Sequence, residues 1–455
     1  MAEVYDGRQN PNGKSAGLFQ MNTHCLGDPN MLDLLVRNAT LPDGRTEMSI
    51  AVQDGCITEV SKGLDAPAHD TLDAQGLLVS PPFVDAHFHL DSALSYGQPR
   101  VNESGTLLEG IALWGELKPQ LTEQTLIERA LRYCDWAVAR GLLAIRSHVD
   151  TSGASLLNVQ ALLEVKRRVA PYLDLQLVAF PQDGLLRTPD GLCNLKRALD
   201  LGVDVVGGIP HFERTMALGA ESIRILCELA AAHGKRVDMH CDESDDPLSR
   251  HVETLAYETQ RLGLHGRVTG SHLTSMHSMD NYYVSKLIAL MAEAQLGVVA
   301  NPLVNITLQG RHDGYPRRRG MTRVPELLDA GLTVAFGQDS VMDPWYALGS
   351  GDMLEVAHMG LHVGQMTSQA AMRQCFEAVT TQAARLLGLE GYGLAAGCHA
   401  DFVLLQARHP TEAIRLRATR LAVYRRGKRI ASTPEATPTL ALAQRPGQVD
   451  FFGRD

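Results

Sequence analysis

The chain lacks the features that mark membrane and secreted proteins. No stretch of about 18 consecutive apolar residues occurs, so we expect no transmembrane helix. Residues 1–30 contain no apolar segment of the signal-peptide kind, and their polar, Gly- and Asn-rich composition predicts a flexible extension. The eight cysteines include no C-x-x-C pair, which favours reduced thiols over a disulfide framework. We therefore predict a cytoplasmic protein with no membrane partner.

An excess of positive charge is also missing. The net charge of −10 argues against nucleic acid as a partner, because phosphates attract basic surfaces, and we expect a small-molecule substrate instead. Hydrophobic residues make up 45% of the chain and charged residues 21%, as in ordinary globular proteins. The 455 residues suffice for one barrel of about 250–300 residues and a smaller unit.

Short apolar strands alternate with amphipathic helices between residues 83 and 340. Thr122 and Gly141 are suited to begin and end a helix over 122–140, and a second helix is predicted over 220–233. Eight strands alternating with helices predict an α/β fold, a (β/α)8 TIM barrel, whose active site forms where the strands end. The predicted strands are 83–89, 142–149, 175–182, 203–209, 236–241, 267–272, 296–301 and 332–339.

The two flanks of this region have a different pattern. Residues 31–80 show short strand patterns broken by Asp-Gly turns, and strand-like runs recur within residues 393–445. We predict that these flanks pair into one small β-sandwich domain. It would pack against a catalytic barrel formed by residues 81–392, which includes additional C-terminal helices, and residues 446–455 would form a tail.

The pair His87 and His89 ends the first predicted barrel strand. Residues i and i+2 of a strand point to the same face, so both imidazoles project together. Two neutral imidazoles directed at one point are half of a transition-metal site. An H-x-H pair also occurs by chance, so the pair alone leaves a structural role open.

Other predicted strands end in similar residues. His240 ends the fifth strand, His272 the sixth and Asp339 the eighth, and Glu243 follows His240 by three positions. Each alone could be a capping residue or a satisfied polar group. Together they indicate a metal site at one end of a barrel, since an open doubly wound sheet would not bring its first and eighth strands together.

These residues resemble the metal-binding set of the amidohydrolase superfamily. Longer motifs are similar to bacterial cytosine deaminases, over residues 81–91, 104–110, 178–182, 240–243, 300–306 and 343–346. The resemblance extends over residues 31–432. It implies a homo-oligomer and one divalent metal ion, iron or zinc, bound by His87, His89, His240 and Asp339.

The sequence is consistent with a single metal ion. Binuclear relatives have a lysine at the end of a middle strand, where it forms a bridging carbamate, and residues 173–184 and 203–213 contain no lysine. His211 and Glu213 follow the fourth strand and remain alternative ligands.

The resemblance implies hydrolytic deamination of a free pyrimidine base. Asp339 would take a proton from the attacking water, His272 would stabilise the charge that develops, and Glu243 would carry a proton to the ring nitrogen. Three residues would bind the base: Gln182, Leu107 through its backbone, and Trp345. The structural alternatives are a loop carboxylate for Glu243, a strand-end cap for Gln182 and a core aromatic for Trp345.

Ser340 departs from the cytosine deaminase pattern, which has a second Asp there, and Gln338 replaces a His. The resemblance places position 340 at the C5 edge of the pyrimidine. Because Ser is small and neutral, it would leave room for a methyl group, which predicts 5-methylcytosine as a substrate beside cytosine. Neutral drift is the alternative explanation, and Gln338 would be structural.

Two other functions remain open. One is deamination of a different amino-heterocycle, such as isoguanine or an aminotriazine. The other is an inactive metal-binding barrel, against which the complete ligand set and Glu243 argue.

Overall fold

The computed structural model describes residues 31–453. The predicted extension over residues 1–30 and the last two residues of the predicted tail therefore lie outside the described residues. The barrel strands are β6 (Phe83–Phe88), β7 (Leu142–Asp150), β8 (Asp174–Phe180), β9 (Val205–Gly208), β10 (Arg236–Cys241), β11 (Val268–His272), β12 (Gly297–Ala300) and β13 (Val334–Phe336). The flanking strands are β1 (Leu32–Ala39), β2 (Met48–Gln53), β3 (Cys56–Lys62), β4 (Ala68–Asp73), β5 (Leu78–Ser80), β14 (Phe402–Leu405), β15 (Arg420–Arg425) and β16 (Lys428–Ser432).

Helices connect and cover these strands. They are α1 (Leu107–Leu117), α2 (Glu123–Ala139), α3 (Leu157–Val169), α4 (Gly191–Asp200), α5 (Met216–Ala232), α6 (His251–Arg261), α7 (Asn281–Glu293), α8 (Pro302–Leu308), α9 (Val324–Asp329), α10 (Met353–Val363), α11 (Gln369–Glu377), α12 (Thr381–Leu387) and α13 (Pro410–Leu416). Within residues 31–453, none of them has both the length and the apolar character that crossing a bilayer requires.

The predicted (β/α)8 barrel is confirmed. Strands β6 to β13 pair in parallel in chain order, and all eight predicted barrel strands are present. The barrel closes where the backbone N–H of Asp339 donates to His87 (2.8 Å) and that of His89 donates to Asp339 (3.0 Å). The first and eighth strands are therefore neighbours, which places their terminal side chains at one site.

The helix boundaries follow their capping residues. Thr122 caps α2 by accepting from the backbone N–H of Thr125, as its position predicted. The second predicted helix, 220–233, begins four residues earlier than expected, at Met216, because the hydroxyl of Thr215 accepts from the N–H of Leu218.

The chain ends build two small sheets, as predicted. One contains β3, β2, β1 and β4, and the other contains β16, β15, β14 and β5, so it combines strands from both ends of the chain. A separate apolar core lies between them, formed by side chains that include Leu34, Ile50, Val79, Phe402 and Tyr424. Strand β5 directly precedes β6, which ties the sandwich to the first barrel strand.

A buried ion pair lies inside the barrel. Arg146 Nη1 is 2.8 Å from Asp238 Oδ2, and both side chains are fully buried. The guanidinium also donates to the carbonyl of Leu386 (2.9 Å) and to Gln176 Oε1 (2.7 Å), and Asp238 accepts from Ser271 Oγ (2.7 Å). This network joins strands β7, β8, β10 and β11 beneath the strand ends.

Breaking this pair should destabilise the fold. Arg146→Met leaves the Asp238 carboxylate buried without its cation, and we expect a loss of about 3–5 kcal/mol in the free energy of unfolding, measured by urea denaturation. Arg167→Met is the matched control, because Arg167 pairs with Glu164 on the exposed face of α3 and should leave the unfolding midpoint almost unchanged. Equal losses in the two variants would contradict this account.

Candidate metal centre and active site

The side chains at the strand ends converge on one point. His89 Nε2 lies 2.9 Å from His240 Nε2. Asp339 Oδ1 lies 3.5 Å from Nε2 of both His87 and His89. All four side chains are buried. Two overlapping groups of donor atoms could each hold a metal ion, and the four predicted ligands are divided between them: His87, His89 and His240 lie in one group, with His148, and His87 and Asp339 lie in the other, with His272.

Two residues at the strand ends have strained backbones. Asp339 has φ +68° and His272 has φ +72°, in the left-handed region that non-glycine residues rarely adopt. Asp339 is held there by its two backbone hydrogen bonds to the first strand. Such strain persists only where the surroundings impose it, and it is typical of functional sites.

The protonation states suit a metal ion. Burial, followed by the charge of neighbouring histidines, holds the pKa values of His87, His89 and His240 well below the usual range. These rings are therefore neutral, which is the form that donates a lone pair to a metal. Both ring nitrogens of His87 and Nδ1 of His240 are buried without a hydrogen-bond partner, although buried polar atoms normally have one.

The electrostatic surroundings of Asp339 also suit a bound cation. Burial first, and then the nearby carboxyl groups of Glu243, Asp343 and Asp85, raise the pKa of Asp339 well above its usual value. A cation beside it is what would keep this carboxylate ionised. Three neutral imidazoles and one carboxylate form a donor set that fits a divalent transition metal.

His148 is a residue that the sequence analysis missed. Its buried ring lies 4.2 Å from that of His87 and 4.6 Å from that of His240, between centroids, and its donor atoms fall within the same group. Its Nε2 is 3.6 Å from Asp238 Oδ1. The spacing of Arg146 and His148 could have identified it, because residues two positions apart in β7 share one face of the strand, here the face that points into the barrel.

The other proposed ligands lie elsewhere. His211 and Glu213 line the cavity above the site but do not belong to the donor groups found among the described residues. Burial lowers the pKa of His211 to about 4, so its ring is neutral as well.

Glu243 lies beside the metal-site residues. Its Oε1 is 3.4 Å from His272 Nδ1, and burial raises the pKa of Glu243 to about 8. His272 is oriented by two asparagines of the motif at residues 300–306, for which the sequence predicted no role. The amide nitrogens of Asn301 and Asn305 lie 3.2 Å and 3.0 Å from His272 Nδ1.

A cavity of about 640 Å³ opens above these groups. Four residues predicted to bind the substrate line it: Leu107, Gln182, Ser340 and Trp345. The Trp345 ring lies 6.2 Å from that of His89 at an interplanar angle of 29°. A Cβ atom on Gly110 of α1 would come within 2.4 Å of the Trp345 indole, so this helix glycine lets the indole pack against the backbone.

The carboxyl group of Asp343 lies close to Ser340 but does not line the cavity. Asp343 also accepts from Ser92 Oγ (2.9 Å) and from the backbone N–H groups of Trp345 (2.9 Å) and Tyr346 (3.0 Å). Gln338 is fully buried and lies outside the cavity lining.

Comparisons with known proteins agree with these motifs. The sequence pattern of the amidohydrolase family matches residues 70–431. The structure of 5-methylcytosine deaminase from Klebsiella pneumoniae liganded with 5-fluorocytosine is 42% identical, with a TM-score of 0.86, over 88% of this chain and 98% of that one. N-isopropylammelide isopropyl amidohydrolase of Pseudomonas sp. (strain ADP) is 28% identical over 87% of this chain and 96% of its own length. Pterin deaminase of Rhizobium rhizogenes is 29% identical over 90% and 96%. The resemblance inferred from the motifs is confirmed.

Removing one donor should remove the metal. His240→Asn takes away a central imidazole, and we expect metal affinity to fall by more than about 10-fold while the circular dichroism spectrum stays that of the folded barrel. Elemental analysis after dialysis against a chelator measures the loss. His265→Asn, at an exposed position, is the control and should retain one ion per chain. Two ions per wild-type chain would contradict a single-metal site.

Proposed function

Because the chain belongs to the amidohydrolase family, we propose that it is a metal-dependent deaminase of a free pyrimidine base. The substrates would be 5-methylcytosine, converted to thymine, and cytosine, converted to uracil, with release of ammonia. The observation that carries the proposal is the shared cavity, which is lined by metal-site residues and by Glu243, Gln182, Ser340 and Trp345. Its similarity to the Klebsiella 5-methylcytosine deaminase supports the same substrate class.

We propose that His87, His89, His240 and Asp339 hold one divalent ion, Fe²⁺ or Zn²⁺. Imidazole nitrogen and carboxylate oxygen are ligands that suit either metal. When bound, the ion supplies Lewis acidity, which makes water a nucleophile at neutral pH.

Two side chains would transfer protons, Asp339 and Glu243, and His272 would stabilise the attacking oxygen. Asp339 accepts a proton from the attacking water, and His272 donates a hydrogen bond to the oxygen that adds to the ring. Glu243, buried 3.4 Å from His272, delivers a proton to the ring nitrogen beside the reacting carbon and then helps the amine leave as ammonia. Water adds and ammonia departs, so the overall reaction is a hydrolysis.

The remaining cavity residues would select the base. The Gln182 side chain offers one amide donor group and one acceptor, which match the amide-like edge of a pyrimidine. The backbone of Leu107 adds a polar contact, and the Trp345 indole packs against the base. Ser340 would present no charge to the C5 edge, because a serine side chain is neutral.

A second candidate is deamination of a larger amino-heterocycle. The cavity extends past the proposed base site to Met216 and Arg311, and two relatives are named for N-isopropylammelide and pterin. Ammonia release across a panel of pyrimidines, isoguanine, aminotriazines and pterins distinguishes the candidates.

Glu243→Gln tests the proton transfer. Gln keeps the size and polarity of Glu but cannot carry a proton, so turnover should fall by about 10²–10⁴-fold while the metal content stays at one ion per chain. Steady-state ammonia release measures the effect. Glu128→Gln, exposed on α2, is the control and should behave as wild type. Near-normal turnover in Glu243→Gln would rule out this mechanism.

Ser340→Asp tests the methyl preference. A methyl group that fills a matching space is worth roughly 10–200-fold in selectivity, and a carboxylate there imposes a desolvation cost on it. The variant should therefore lose kcat/KM for 5-methylcytosine much faster than for cytosine, whereas Ser340→Ala should keep the wild-type ratio. If the wild type strongly prefers cytosine, or if Ser340→Asp leaves the ratio unchanged, cytosine itself is the substrate.

A further inference from the structure

The turn that joins His240 to Glu243 has an unusual backbone. Asp242 has φ +51°, in the left-handed region, although it is not a glycine. A conformation of this kind persists only when its surroundings hold it. The position matters because Asp242 directly precedes Glu243, so its backbone angles set the direction in which the Glu243 side chain leaves the chain.

The carboxylate of Asp242 holds the turn from one side. It is fully buried and accepts four hydrogen bonds from the start of α6 and the residues before it. These come from Ser249 Oγ (2.7 Å), His251 N (3.1 Å), His251 Nδ1 (2.8 Å) and Val252 N (2.8 Å). The backbone carbonyl of Asp242 also accepts from Ser275 N (3.1 Å), next to β11.

The His251 side chain is itself fixed by a glycine. A Cβ atom on Gly219, inside helix α5, would lie 2.1 Å from His251 Nε2 and 2.6 Å from the carbonyl oxygen of Pro210. Glycine inside a helix is less favourable than alanine, so this position needs a reason, and the space for the buried His251 ring supplies one. The His251 ring is thereby clamped between α5 and Asp242.

His240 is held in place by the barrel sheet and not by the Asp242 turn. His240 lies within β10 and is registered with Ser271 of the neighbouring strand. Glu243 comes after the strand has ended, and its direction depends on the Asp242 turn. Loosening this turn should therefore displace Glu243 while leaving the metal site in place.

We infer that Asp242 and His251 are positioning residues that aim Glu243 at the reacting ring nitrogen, with Gly219 providing the space for His251. This inference rests on the proposed function, in which Glu243 transfers protons. Small displacements of a reacting group are costly, since about 1 Å can lower the rate by about 10²-fold.

His251→Leu removes the ring donor and should lower kcat by about 10-fold or more, with KM within about threefold of wild type and one ion still bound per chain. His251→Asn places an amide donor where Nδ1 was, and it should restore most of kcat. A merely structural role would lower metal content and raise KM as well, and Asn would give no rescue. Either pattern would overturn the inference.

Gly219→Ala tests the position of the His251 ring through a residue of the neighbouring helix α5. The added methyl group would meet both the His251 ring and the Pro210 carbonyl oxygen, and displacing the ring should lower kcat as His251→Leu does. Gly115→Ala is the matched control, because Gly115 also lies in a helix but has open space around its Cβ position. Equal kcat values in the two glycine variants would overturn the inference.

A double mutant shows whether His251 acts through Glu243. In a Glu243→Gln background, His251→Leu should cause no further loss of kcat, whereas independent effects on kcat would multiply and overturn the inference.

Amide hydrogen exchange over residues 240–244 gives a measurement that does not depend on turnover, and the exchange rate should rise in His251→Leu. If wild type releases ammonia from no amino-heterocycle, the proposed function fails, whereas unchanged exchange in His251→Leu refutes the positioning role by itself.

Discussion

The backbone hydrogen bonds between residues 87–89 and Asp339 close the barrel, and the rest of the site depends on them. Asp339 donates to His87 and accepts from His89, so the peptide groups that join the first strand to the last belong to three of the four proposed ligands. Closing the sheet and assembling the donor set are therefore one event. A change that opened this seam would separate His87 and His89 from Asp339 even if every strand kept its conformation.

The site concentrates features that are unfavourable for stability. Asp242, His272 and Asp339 adopt left-handed backbone angles, and Glu243 is a carboxyl group in a buried position. The surrounding barrel imposes this arrangement, through strand register on one side and the start of α6 on the other. Below the site, the buried ion pair of Arg146 with Asp238 holds the strands together.

Two helix glycines contribute to the site without touching substrate. Gly110 of α1 leaves space for the Trp345 indole, and Gly219 of α5 leaves space for the His251 ring. In both places a helix approaches a large side chain, Trp345 in a strand-end loop and His251 at the start of α6, more closely than an alanine would permit. Both glycines therefore act through packing, by fixing the position of another side chain.

The sequence by itself determined the features that depend on local periodicity. The alternation of short strands with helices predicted the closed barrel, the i and i+2 spacing predicted that His87 and His89 point together, and Thr122 predicted where α2 begins. Tertiary structure alone decided the features that depend on contacts between distant residues. His148 joins the donor group only because β7 pairs with β6, and the pairing of His251 with Asp242 requires α6 to begin beside the end of β10. A local sequence pattern determines the direction in which a side chain projects from its own strand or helix. The residue that this side chain contacts is determined only when separate elements pack together.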